Sequence, residues 1–121
     1  MNAKTITSTI GLKVREIMST ELVTIGPKDS LLDAIELMAK NDISGLPVLS
    51  SGKLVGVISE TDLINRTARR GIEFLFLSRK NPKIAKTVKA TKVEDIMNKR
   101  PITINEDNTI EEASDIMSKY N

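Results

Sequence analysis

The sequence has no cysteine, no histidine and no tryptophan, and its aromatic residues are few: Phe74, Phe76 and Tyr120. Without cysteine or histidine there is no thiol nucleophile, no disulfide, no thiolate or imidazole metal site and no Ser–His or Cys–His relay. Oxygen-ligated Mg²⁺, carried in on a phosphate, is the metal chemistry left open, so no resident metal or cofactor is expected. A platform for stacking bases needs aromatic faces that this chain hardly has. No P-loop is present, and Glu60 and Asp62 do not form a carboxylate dyad by their spacing, so an enzyme is not expected. No apolar run is long enough to span a bilayer. The opening "MNAKTITSTIG" lacks the apolar centre of a signal peptide, which makes a cytoplasmic protein the default expectation.

What the chain does have is aliphatic bulk and an uneven charge. It has 121 residues, 40% of them hydrophobic, which suffices for one compact core. The net charge is only +2, yet residues 66–100 hold eleven Lys and Arg (Arg66, Arg69, Arg70, Arg79, Lys80, Lys83, Lys86, Lys89, Lys92, Lys99, Arg100) against Glu73, Glu94 and Asp95. Such a run is either a solvated linker and helix face or an anion-binding surface. The second reading makes the protein a nucleic-acid-binding or scaffold module acting through 66–100.

The chain also repeats itself. "VREIMSTELVTIGPKDSLLDAIELMAKND" from Val14 and "VEDIMNKRPITINEDNTIEEASDIMSKYN" from Val93 align without a gap at an offset of 79. Val14/Val93, Ile17/Ile96, Met18/Met97, Thr24/Thr103, Ile25/Ile104, Ala34/Ala113, Met38/Met117 and Lys40/Lys119 are identical. In each copy a β-branched run, 22–25 or 101–104, reads as extended. Ser30 with Asp33, and Thr109 with Glu112, read as helix caps. Leu31, Ala34, Ile35 and Met38 then fall on one helical face, with Ile110, Ala113, Ser114 and Met117 as counterparts. The methionines read as core filler.

The first copy continues as a hairpin, "GLPVL" and "LVGVIS" about the turn "SSGK", and then as a helix from Ser59 towards Arg69 with Gly71 at its end. Its unit is therefore extended–helix–strand–strand–helix. Between the copies, 72–78 is apolar, and 81–92 is basic with Ala85, Val88 and Ala90 as apolar points. Pro82 suits a first helical turn after Asn81. The second copy reaches Asn121 with no hairpin or closing helix. Half a unit cannot bury its apolar face unaided, so the sequence is expected to be a fragment, with a swap between chains as the other rescue.

"IM", "VTI", "ISGLPV" and "GVISETDL", in that order, resemble a cystathionine-β-synthase-type (CBS) domain, and 93–121 resembles the first half of another. The organisation expected is a tail (1–11), a first repeat (12–70), a basic connector (71–92) and a half repeat (93–121). The resemblance implies an α/β (α+β) fold of tandem CBS domains, a Bateman module. Each domain would be a small β-sheet with two helices packed on it, the two related by pseudo-twofold symmetry with clefts between them. It further implies a regulatory sensor of an adenosine-containing ligand, AMP, ADP, ATP or an S-adenosylmethionine-like molecule. Homodimers are usual in such a family, and catalysis is not.

Ser59 and Asp62 have two readings. As a cap, Ser59 Oγ takes a backbone N–H and Asp62 suits the helix dipole. As a ligand site, the resemblance places Asp62 on the ribose hydroxyls, with Ser59, Thr61 and the helix N-terminus towards the phosphates. It places Thr24, and equally Ile102 and Thr103, near the base or ribose. Ile43, Ser44, Gly45 and Pro47 would clasp the adenine, although the same stretch also reads as a plain strand entry. Lys99 and Arg100 are phosphate candidates or solvated loop charge.

Overall fold

A computed structural model describes residues 11–67 and 80–120. The expected helix end at Gly71 and the apolar run 72–78 lie outside the described residues. The chain divides into two compact units that do not coincide with the sequence repeats. One is Val23–Pro101, and the other joins Met1–Leu22 to Ile102–Asn121.

In the larger unit, helix α2 (Leu31–Asn41) begins where the sequence places its cap. Ser30 Oγ accepts from the Asp33 N–H at 3.1 Å, and the Asp33 carboxylate accepts from the Ser30 N–H at 3.3 Å. The helix stops at Asp42, which turns left-handed at φ 51°. Strands β1 (Gly45–Ser50) and β2 (Lys53–Ser59) follow as an antiparallel hairpin with Leu46 opposite Ile58 and Pro47 opposite Val57. Ser51 (φ 51°) and Gly52 (φ 77°) supply the two positive φ values that a tight hairpin turn requires. The register shifts after Val48, which leaves Val55 as the extra residue of a bulge. Helix α3 (Glu60–Thr67) leaves the end of β2 directly.

Two further segments extend this sheet. Ile25 bridges Val48 in parallel, and Asn98 bridges Val57 antiparallel, so the hairpin is flanked on both edges. Leu46, Val48 and Ile58 point to one face and are wholly buried with Leu31, Ala34, Ile35 and Met38 of α2 and Leu63 of α3. Burying each such aliphatic side chain contributes about 1.5–3 kcal/mol, and this stripe is the main stabilising term of the unit. Helix α4 (Pro82–Ala90) is capped by Asn81, whose Oδ1 accepts from the Lys83 N–H at 3.0 Å. It delivers Val88 to the same core while Lys83, Lys86 and Lys89 stay exposed. The 3₁₀ turn Val93–Asp95 adds Val93.

The smaller unit contains α1 (Val14–Ile17) and α5 (Ile110–Tyr120). Each repeat's leading segment is docked on the body of the other, through equivalent bonds. Val14 N donates to Asn108 O (2.8 Å), as Val93 N does to Asp29 O (2.9 Å). Ile110 N donates to Leu12 O (2.8 Å), as Leu31 N does to Thr91 O (2.8 Å). One ion pair is also matched with its charges reversed: Arg15–Asp107 at 2.7 Å and Lys28–Glu94 at 2.8 Å. Docking within a repeat would oppose Arg15 to Lys28 and Glu94 to Asp107, like against like. Exposed pairs stabilise by only about 0–1 kcal/mol each, so they select the pairing more than they drive it.

The start of α5 is an acid-sensitive joint. The Asn108 side chain, then the backbone and hydroxyl of Thr109, hold the Glu112 carboxyl below its ordinary value of 4.5. Its own backbone N–H and that of Gly11 lower Glu111 likewise. A lowered carboxylate stabilises the fold fully above the ordinary value, and that stabilisation is lost as pH falls through the folded value. Thermal melts are therefore expected to weaken as pH drops below about 4.5, and less steeply in Glu112→Gln. An unchanged pH profile in that variant would show the joint to be energetically silent.

Candidate functional site

The candidate site is built at the end of the hairpin where β1 begins and β2 ends. Gly45 pairs with Ser59, and the Glu60 N–H donates to Ser44 O at 2.8 Å, so Ser44, Gly45, Ser59 and the first turn of α3 are contiguous. A Cβ on Gly45 would sit 3.5 Å from Ile58 O, an ordinary contact. Ile25 N donates to Pro47 O at 3.1 Å, and the parallel register brings Thr24 alongside Pro47. Successive strand residues point to opposite faces. Thr24, Gly45, Pro47 and Ser59 therefore share the face turned away from the core, and all four are half-buried. Ile43 and Ser44 are exposed at the entry to β1, and Thr61 is exposed on α3.

Asp62 is half-buried, and its carboxylate lies over the strand end. Its Oδ2 accepts from the Ser59 N–H at 2.8 Å and from the Ser59 hydroxyl at 2.9 Å. The Asp62 N–H in turn reaches Ser59 Oγ at 3.3 Å. The capping role is thus in place, and the same bonds hold the carboxylate at the sheet's open end. A small cavity of about 90 Å³ lies between the end of α2 and the start of α3, lined by Met38, Ala39, Asp42, Ile43, Glu60 and Leu63 among others, and Asp62 is not part of its lining.

Not every predicted residue meets here. Asn98 pairs antiparallel with Val57, which carries Lys99 and Arg100 along the outer edge of β2, away from Ser59; both are exposed. Ile102 and Thr103 are exposed residues of the smaller unit. Among the described residues no group of three or more Asp or Glu is placed to hold a metal, and no helix is long and apolar enough to cross a membrane. The sequence reading overlooked Gly56, which is buried in β2. A Cβ there would lie 2.6 Å from Met97 Sδ and 2.9 Å from Asn98 O. A glycine inside a strand pattern is the sign of such close approach.

The model of the CBS domain matches residues 14–69 and 93–121. MJ1426 of Methanocaldococcus jannaschii is 34% identical over 126 residues, covering 89% of this chain and 74% of that protein. Inosine-5'-monophosphate dehydrogenase of Korarchaeum cryptofilum is 34% identical over 100 residues; the match takes in 83% of this chain but 17% of the dehydrogenase. Among solved structures, the CBS-pair protein CBSX2 of Arabidopsis thaliana superposes with a TM-score of 0.72 at 27% identity, over 90% of this chain and 74% of its own. CBSX2 is also known in complex with AMP (TM-score 0.65, 26% identity, 88% and 74% covered). The CBS domain pair of MJ0100 is known with 5-methylthioadenosine and S-adenosyl-L-methionine (TM-score 0.65, 28% identity, 91% and 74% covered). A helix-and-hairpin unit of this topology, an internal repeat at a constant offset and a family match over both copies agree: the chain belongs to the CBS domain family.

Proposed function

We propose that this chain is a regulatory module that binds an adenosine-containing small molecule, AMP, ADP, ATP or S-adenosylmethionine, and does no chemistry on it. The observation that carries the reading is the convergence of Thr24, Gly45, Pro47 and Ser59 on one half-buried sheet face, with the Asp62 carboxylate held at its end. The AMP complex of CBSX2 and the methylthioadenosine and S-adenosylmethionine complex of MJ0100 support the ligand class. In this reading Asp62 accepts both ribose hydroxyls, Ile43–Pro47 hold the base, and Thr24 bonds the base or sugar. Ile102 and Thr103 serve the equivalent role in the other copy. The phosphates are assigned to Ser59, Thr61 and the first-turn amides of α3. Lys99 and Arg100 are not given them, because their register runs away from Ser59.

Sensing then requires only that two arrangements of the protein differ in affinity for the ligand. A cytoplasmic homodimer is the working assembly. Calorimetric titration with AMP, ADP, ATP and S-adenosylmethionine, alongside native mass spectrometry of the purified protein, tests the proposal. Saturable binding of at least one adenosine compound, with uridine and guanosine counterparts weaker, is expected. Indifference to all four, together with steeply salt-dependent RNA binding, would favour the exposed lysines of α4 and a nucleic-acid role.

A further inference from the structure

The first turn of α3 comes to the end of the sheet with its own donors largely spent. The Glu60 N–H donates to Ser44 O at 2.8 Å. The N–H and hydroxyl of Ser59 both donate to Asp62 Oδ2, at 2.8 and 2.9 Å, and the Asp62 N–H donates to Ser59 Oγ at 3.3 Å. Of residues 59–62, only the exposed Thr61 keeps an uncommitted N–H and hydroxyl. Two carboxylates in that turn, Glu60 and Asp62, also answer the partial positive charge of the helix N-terminus. A phosphate placed there finds neither the row of free amides nor the unopposed dipole that make a helix N-terminus an anion site.

The surroundings add further negative charge. Asp42 and the half-buried Glu60 line one cavity of about 90 Å³ together with Ile43, a residue assigned to the base. Among the described residues neither carboxylate is in an ion pair. The cations of this unit stand elsewhere. Lys40 is exposed on the last turn of α2 and outside that lining, and Lys99 and Arg100 follow the outer edge of β2. Asp42, Glu60 and Asp62 are not grouped to hold a metal, so their charge bears on whatever enters beside them.

We propose that this site selects adenosine compounds by the charge of the 5′ group, taking an uncharged thioether or a cationic sulfonium in preference to the phosphates of AMP, ADP and ATP, with Glu60 as the specificity-determining residue. This rests on the ligand reading above and sharpens it. The ribose holds the 5′ group near the first turn of α3, where the carboxylates are. A phosphate monoester brings a charge of about −1.5 to −2 at pH 7, and ATP brings more. Like charges set side by side are a strong means of rejecting a ligand. A sulfonium meets the same carboxylates with opposite sign, and a thioether needs no donor from the turn.

Calorimetric titration of the full chain with 5′-methylthioadenosine, S-adenosylmethionine, AMP and ATP in Mg²⁺-free, low-salt buffer tests this. Methylthioadenosine and S-adenosylmethionine are expected to bind on the order of tenfold more tightly than ATP, with AMP between. Added salt should strengthen ATP binding, weaken S-adenosylmethionine binding and leave methylthioadenosine unmoved, because screening acts on charge alone. Glu60→Gln keeps the backbone bond to Ser44 and should raise ATP affinity severalfold, lower that of S-adenosylmethionine and leave the neutral thioether within about twofold. A phosphate compound that outbinds methylthioadenosine in the parent chain would overturn this proposal and leave the ligand reading standing. So would a Glu60→Gln variant whose affinities for all four compounds shift together. Failure of all four to bind would overturn the ligand reading and this proposal with it.

Discussion

Replacing Gly56 with valine is expected to destabilise the larger unit by about 3 kcal/mol, read as a lower urea midpoint. Overpacking a close-packed site costs about 1–3 kcal/mol, and the injury here reaches past side chains. The new Cβ would meet Met97 Sδ at 2.6 Å, which a flexible side chain can relieve, and Asn98 O at 2.9 Å, which is backbone. That oxygen accepts from the Val57 N–H at 3.0 Å, and the Asn98 N–H donates to Val57 O at 2.8 Å. Forcing the segment outward puts both bonds at risk, each worth about 1 kcal/mol net. Amide exchange should accelerate first at Val57 and Asn98, before the residues of α2. Gly56→Ala should show the same pattern more weakly. A valine variant with the parent's midpoint and exchange at both amides would mean that 97–98 does not pack as described.

Alanine at Asp62 is expected to lower affinity for an adenosine-containing ligand about 10- to 100-fold, as befits loss of a hydrogen bond to a charged group worth about 1.5–3 kcal/mol. It should also cost about 1 kcal/mol of stability, because the carboxylate closes the capping box with Ser59. The two effects separate with Ser59→Ala, which removes the hydroxyl that caps α3 and leaves the carboxylate. That variant should lose stability comparably and keep more of its affinity. If Asp62→Ala and Ser59→Ala weaken binding equally and in proportion to their melting temperatures, Asp62 is a cap alone and the ribose assignment fails. Calorimetry and thermal melts on the two variants decide between the outcomes.

Local patterns in the chain were readable wherever local physics decides. Ser30 with Asp33, and Thr109 with Glu112, announce helix starts because a short side chain can reach only its own first turn. Leu31, Ala34, Ile35 and Met38 announce the buried face of α2 by their period, and Ser51–Gly52 announce the hairpin by the φ values that the turn demands. The contiguity of Ser44, Gly45, Ser59 and Asp62 follows from that hairpin, so most of the candidate site was legible as well. Val88 was noted only as an apolar point in a basic stretch, since a single buried contact leaves no period. Gly56 went unnoticed because its constraint comes from Met97 and Asn98, some forty residues away.

From sequence came helices α2 to α5, the hairpin, the repeat and the family resemblance, each set by the reach of neighbouring residues or by a match at constant spacing, whereas the short helix α1 was not foreseen. Tertiary structure alone decided which body each leading segment docks on. Segments 14–19 and 93–98 are too alike for local preference to choose between two equivalent edges. The choice falls to long-range pairing and to the crossed charges of Arg15–Asp107 and Lys28–Glu94. It also decided that Val88 joins the core and that Met97 and Asn98 close on Gly56, because both contacts join residues far apart in the chain.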